Sequence, residues 1–121
     1  MPRDIMNEIR EEIADNKVLV YMKGTPTFPM CGFSAATVEV LREIGCPFAH
    51  VNILEDQEKR EAIKAYSNWP TIPQVYIGGK FIGGCDIVRE LYASGELERM
   101  LDEADVGRAG ETGERVERVN G

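Results

Sequence analysis

The sequence predicts an α/β domain built on a small four-stranded mixed sheet flanked by helices, and three features carry that prediction. Val18-Leu19-Val20-Tyr21-Met22 is an unbroken apolar run, the pattern of a strand covered on both faces. The strand, helix, strand succession that follows implies a parallel pair joined by a right-handed crossover. Gln74 to Ile77 and Lys80 to Ile82 flank Gly78-Gly79, a strong antiparallel hairpin signal.

Each element has a local reason. Ile5, Ile9 and Ile13 recur every fourth residue with Met6 beside them, giving one apolar stripe on a first helix of about four turns, with Asp4 as its expected N-cap. After the first strand, residues 24–30 contain Pro26 and Pro29 and read as a loop that delivers Cys31 to the start of a second helix. That helix runs through Val38, Leu41 and Ile44 and stops at Gly45, ahead of Pro47. From Phe48 to Ile53 the pattern alternates, predicting a peripheral strand in which His50 is an ordinary member. Glu55 to Ser67 reads as a third helix with Ala62, Ile63 and Tyr66 inward, broken by Trp69-Pro70-Thr71-Ile72-Pro73. Asp86 is the expected cap of a helix reaching Tyr92, and Glu96 to Leu101 continues after Ser94-Gly95. Residues 1–104 are expected to form the domain. Residues 105–121, rich in Gly, Arg and Glu and poor in apolar anchors, are expected to form a flexible tail.

Composition narrows the function. A chain of 121 residues with 43% hydrophobic content fits one domain with a real core. Its net charge of -7 opposes binding to nucleic acid or an anionic membrane by the chain as a whole. No apolar stretch approaches the ~20 residues of a membrane span, and the acidic, amphipathic start does not read as a signal, so the expected location is the cytoplasm, or an organelle matrix if a targeting segment was removed. Three cysteines, at 31, 46 and 85, lack metal-finger spacing and argue for a reducing compartment. His50 is the only histidine, so no histidine cluster for zinc forms within one chain.

Cys31 is the residue on which the chemistry turns. A cysteine at a helix start has its thiolate favoured by the helix dipole and by free backbone N–H groups, here those of Phe33 and Ser34. Three residues on, where a resolving thiol would complete a C-x-x-C pair, stands Ser34. A hydroxyl does not attack a mixed disulfide, so whatever resolves or shares Cys31 comes from elsewhere.

Four ordered blocks then become informative: Lys23-Gly24-Thr25, Pro29-Met30-Cys31-Gly32-Phe33-Ser34, Ser67-Asn68-Trp69-Pro70-Thr71-Ile72-Pro73-Gln74 and Gly83-Gly84-Cys85-Asp86. Over roughly Ile5 to Leu101 the chain resembles the monothiol glutaredoxins, the Cys-Gly-Phe-Ser branch of the thioredoxin-like superfamily. The resemblance implies the thioredoxin-like (glutaredoxin) fold, with Pro73 as a cis proline facing Cys31. It implies glutathione as ligand, with Lys23, Arg60 and Lys64 at the glycyl carboxylate, Thr71 and Ile72 along the cysteinyl backbone, and Cys85 and Asp86 at the γ-glutamyl end.

The residues themselves leave alternatives open. Arg60 and Lys64 share a helix face near the rim where Lys23 ends its strand, yet Asp56 with Arg60 and Glu61 with Lys64 also make ordinary solvated pairs worth about 0.2–0.5 kcal/mol each. Asp86 serves as a cap whether or not it meets a ligand. Trp69 reads as packing, Cys46 as a small, partly buried residue, and Cys85 as either structural or a disulfide partner of Cys31. At the level of function the resemblance implies a glutathione-ligated 2Fe-2S cluster bridging a homodimer, with Cys31 as protein ligand. Such a protein is expected to act in cluster assembly, transfer to apo iron–sulfur proteins and iron homeostasis, and to pair with a BolA-like protein. The alternative is an enzyme, a glutathione-dependent oxidoreductase in which Cys31 attacks and free glutathione resolves.

Overall fold

A computed structural model of the chain describes residues 2–108 and 114–115. In order, the elements are α1 (Ile5–Asp15), β1 (Val18–Met22), α2 (Gly32–Ile44), β2 (Ala49–Asn52), a 3-10 turn (Ile53–Glu55), α3 (Gln57–Ser67), β3 (Gln74–Ile77), β4 (Lys80–Gly83), α4 (Cys85–Ser94), α5 (Glu96–Glu103) and a two-residue β5 (Glu114–Arg115). The sheet order is β4-β3-β1-β2-β5. β1 lies parallel to β2 and antiparallel to β3, and β3 and β4 form the hairpin. The mixed four-stranded body is as expected, with β5 added in parallel along β2.

The apolar run of β1 is explained by its central place. Val18, Val20 and Met22 face a core layer completed by Val38 and Leu41 of α2, Val88 of α4 and Leu97 and Leu101 of α5. Leu19 and Tyr21 face the opposite layer, which holds Ile9 and Ile13 of α1, Ile63 of α3 and Tyr76 of β3. Successive side chains of a strand alternate in direction, so a strand with a core on each side must be apolar at every position.

Several expectations are corrected. Lys59, not Tyr66, is the buried companion of Ile63 on α3, while Tyr66 is 37% exposed. The reason lies on α1: Glu12 is buried there and pairs with the Lys59 ammonium, so α3 turns its lysine inward. Tyr21 Oη donates to the second oxygen of the same carboxylate at 2.7 Å. Asp56 does not pair with Arg60. It caps α3 by accepting from the Lys59 N–H at 3.1 Å and binds Arg3 at 2.6 Å. Asp86 is not an N-cap, because Gly84 holds that position and Asp86 falls in the first turn of α4. Ile53 leaves β2 and opens the 3-10 turn, where the Asn52 side chain accepts from the Leu54 N–H.

Residues just past 104 pack against the domain as well. Val106 is buried in the α2-side core layer and its N–H donates to Leu101 O at 2.9 Å. Arg108 pairs with Asp102 and donates to Val106 O. Packing therefore continues past Ala104, and Glu114–Arg115 adds to the sheet, whereas residues 109–113 and 116–121 of the expected flexible tail lie outside the described residues.

Arg3 gathers the charges at the α1–α3 junction. It binds Glu8 at 2.7 Å as well as Asp56, and its hydrogen bond is the main reason the Glu8 carboxyl falls from 4.5 to about 2. Asp56 is lowered as well, again chiefly by Arg3. Carboxylates depressed in the fold contribute stability that is full above their unfolded pKa and is lost as pH falls through the folded value. Arg3→Ala is therefore expected to melt below the wild type at neutral pH, with the gap closing between about pH 4.5 and 2. Thermal melts across that range check this, and a gap independent of pH contradicts it.

Candidate functional site

The site begins where β1 ends. Gly24 has φ +89, and a Cβ there would lie 2.4 Å from Phe28 O and 2.6 Å from Met30 N, so the chain can double back only through glycine. The loop closes on itself through Thr25 N–H to Phe28 O at 3.1 Å, Phe28 N–H to Thr25 Oγ1 at 3.0 Å and Met30 N–H to Lys23 O at 2.9 Å. From across the sheet, Asn52 Oδ1 accepts from the Gly24 N–H at 2.9 Å. These bonds set Cys31 at the N-cap of α2 with extended backbone.

Cys31 is partly exposed, and its thiol is held below the ordinary 9.0. Burial is the largest single influence and opposes ionisation, but the Ser34 and Phe33 N–H groups, the Lys23 charge and the Ser34 hydroxyl together outweigh it. No bond of capping geometry reaches the sulfur, so these N–H groups act as aligned dipoles at the helix start. Ser34 is fully buried, and its Oγ accepts from the Lys23 N–H at 3.1 Å. The position that would carry a resolving thiol is thus an anchor between β1 and α2. Cys46 is the opposite case: it has no exposure, and burial pushes its thiol up to about 11.

A cleft of about 510 Å³ opens beside Cys31. Lys23, Arg60 and Lys64 line one end, Thr71 and Ile72 the wall, and Cys85 and Asp86 the end at the start of α4. The structure brings together every site residue expected from the sequence. The Ile72–Pro73 bond is cis and Pro73 lines the cleft, as the resemblance implied. Gly84 lets the start of α4 approach this wall, since a Cβ there would lie 3.2 Å from Pro73 O.

Two donors in the cleft wall are left over. Arg60 Nε and Trp69 Nε1 are buried with no hydrogen-bond partner, a costly condition that an anionic or carbonyl-bearing ligand relieves. Lys64 reaches Glu61 only at 3.9 Å, so the solvated-pair alternative accounts for it weakly and for Arg60 not at all. Trp69 does pack, its ring 5.5 Å from Phe81, but it also lines the cleft. Phe33, 63% exposed, lines it too; both residues sit inside the informative sequence blocks, which was the only signal for them. Among the described residues no group of three or more His, Cys, Asp or Glu is placed to hold a metal ion.

Comparison with known proteins agrees. The Glutaredoxin family model matches residues 18–82. Probable monothiol glutaredoxin 2 of Rickettsia conorii is 54% identical over 93 residues, 77% of this chain and 87% of that protein. An uncharacterized ycf64-like monothiol glutaredoxin of Synechocystis is 53% identical over 96 residues, 79% and 90% of the two chains. The solution structure of reduced apo GrxS14 from poplar superposes with a TM-score of 0.74 at 46% identity, covering 84% of this chain and 93% of that one.

The electrostatics give a direct expectation. The rate at which iodoacetamide alkylates Cys31 should reach half its maximum at a pH below 9.0, and Lys23→Met should move that midpoint upward. A midpoint at or above 9.0 contradicts the assignment of Cys31 as a favoured thiolate.

Proposed function

The chain belongs to the monothiol branch of the glutaredoxin family, and on that premise we propose that its cleft binds glutathione beside Cys31 and that the two sulfurs hold a 2Fe-2S cluster as cargo between two copies of the chain. The observation that carries this reading is a thiolate-favoured, accessible sulfur in one cleft with an arginine whose buried Nε has no partner. Glutathione carries a carboxylate at each end. Lys23, Arg60 and Lys64 would take the glycyl carboxylate, Thr71 and Ile72 the cysteinyl backbone, and the Cys85–Asp86 start of α4 the γ-glutamyl carboxylate.

A 2Fe-2S cluster takes four ligands, commonly thiolates. Cys31 and one glutathione supply half of that set, so the residues present fit half a cluster site, and a second chain with its own glutathione completes it. The exposed Phe28, Met30 and Phe33, on and beside the loop that carries Cys31, offer apolar surface for that partner copy. With half its ligands exchangeable, the cargo suits transfer to apo iron–sulfur proteins, and hence a part in iron homeostasis. A BolA-like protein would be an alternative partner for the same open sulfur.

The lowered Cys31 pKa also favours a second reading, thiol–disulfide exchange. The Cys31 thiolate attacks the glutathione sulfur of a protein–glutathione disulfide, releasing the protein thiolate and leaving Cys31 bonded to glutathione. A second glutathione thiolate then attacks that bond, forms oxidised glutathione and frees Cys31. With Ser34 buried and non-nucleophilic, the position three residues after Cys31 supplies no competing internal step.

Anaerobic incubation with ferrous iron, sulfide and glutathione should give a brown species that elutes as a dimer. Cys31→Ser should abolish the colour, and Cys46→Ser should leave it, because Cys46 is sealed in the core. Colourless monomer from the wild type contradicts the carrier reading, and rapid turnover of a glutathionylated protein by that colourless monomer would favour the exchange reading.

A further inference from the structure

Gln74 opens β3 with no exposure, and a buried amide must find partners for two donors and an acceptor. It finds them all. Nε2 donates to Trp69 O and to Thr71 O, each at 3.2 Å, and Oε1 accepts from Tyr76 Oη at 3.1 Å. The phenol needs an acceptor and the two carbonyls need donors, so the amide has one satisfactory orientation.

The bonds act on the cleft wall. Residues 68–73 connect α3 to β3: the Asn68 and Trp69 N–H groups close the end of α3 on Ala65 O and Lys64 O, and beyond them Pro70 and Pro73 carry no N–H. Gln74 adds a restraint from the β3 side that holds the Trp69 and Thr71 carbonyls inward. The Thr71–Ile72 peptide is trans, and in a planar trans peptide the C=O and the following N–H point in opposite directions. With Thr71 O bonded to Gln74, the Ile72 N–H faces away from Gln74, and no acceptor among the described residues takes it. Thr71 and Ile72 both line the cleft.

We propose that Gln74 is a positioning residue that holds the Ile72 N–H ready for the peptide backbone of glutathione, a role resting on the reading that this tripeptide occupies the Cys31 cleft. Gln74 acts through Thr71 and does not line the cleft itself.

Trp69, the only tryptophan, lines the cleft and gives a fluorescence probe for titration of the full chain with reduced glutathione. The wild type should saturate. Gln74→Leu should bind roughly tenfold more weakly, the order expected from loss of both donors that orient the wall. Its Cys31 alkylation profile against pH should match the wild type, since the groups acting on that sulfur are untouched. Tyr76→Phe, which frees the amide to flip, should weaken binding about threefold and decides the matter if the leucine variant does not fold. A lower melting temperature with unchanged affinity makes Gln74 merely structural and overturns the proposal while leaving the cleft reading intact. Weaker affinity accompanied by a shifted Cys31 profile overturns it also, because the effect then runs through the fold. A wild type that does not saturate overturns both the proposal and the reading beneath it.

Discussion

The site depends on one constraint: a single ionisable sulfur at the start of α2, with the residue that would answer it in a dithiol replaced by a buried hydroxyl. Ser34 ties the N–H of Lys23 to α2 and so fixes where β1 ends relative to Cys31. The same substitution that removes an internal resolving thiol thus adds rigidity at the mouth of the cleft. Cys31 is left as a ligand or nucleophile with no thiol three residues on, at the side of a cleft whose lining includes Lys23, Arg60 and Lys64.

The walls of the cleft are held from behind. On one side, α3 presents Arg60 and Lys64 and is fastened to α1 by Lys59 and Glu12, which are both almost fully buried. Removing one member of such a pair leaves an uncompensated charge in the core, typically at about 3–5 kcal/mol, so the pairing specifies how α3 sits more than it adds stability. On the other side, residues 68–73 are held by Gln74, whose acceptor bond comes from Tyr76. Tyr76 meets Tyr21 edge to face at 5.7 Å, and Tyr21 donates to Glu12. One connected set of buried polar and aromatic groups thus lies behind both walls.

What could be read from the sequence was what local chemistry decides. The apolar run of β1, the Gly78-Gly79 hairpin and the Asp4 cap of α1 depend on residues close in the chain, and each was found as expected. Lys23, Cys31, Thr71, Ile72, Cys85 and Asp86 were legible because they fall in ordered blocks shared with a family, whereas Arg60 and Lys64 lie outside those blocks and came from the resemblance alone, since periodicity would have left them as solvated pairs. What failed was non-local. Nothing near Lys59 in sequence announces that Glu12, 47 positions away, will draw it inward and rotate α3 so that Tyr66 is exposed. Asp86 looked like a cap because its residue type suits one, but the close approach of α4 to Pro73 put glycine at that position instead. Val106 stands alone in a polar stretch, and only the three-dimensional core reveals a place for it.

The central claim is that the chain completes its chemistry with glutathione and a second copy of itself. Native mass spectrometry of the anaerobically reconstituted protein tests it most directly, because it counts every component of the assembly. The account predicts one species containing two chains, two glutathione molecules and one 2Fe-2S cluster. A cluster retained by a single chain, or a dimer that holds its cluster without glutathione, would contradict it.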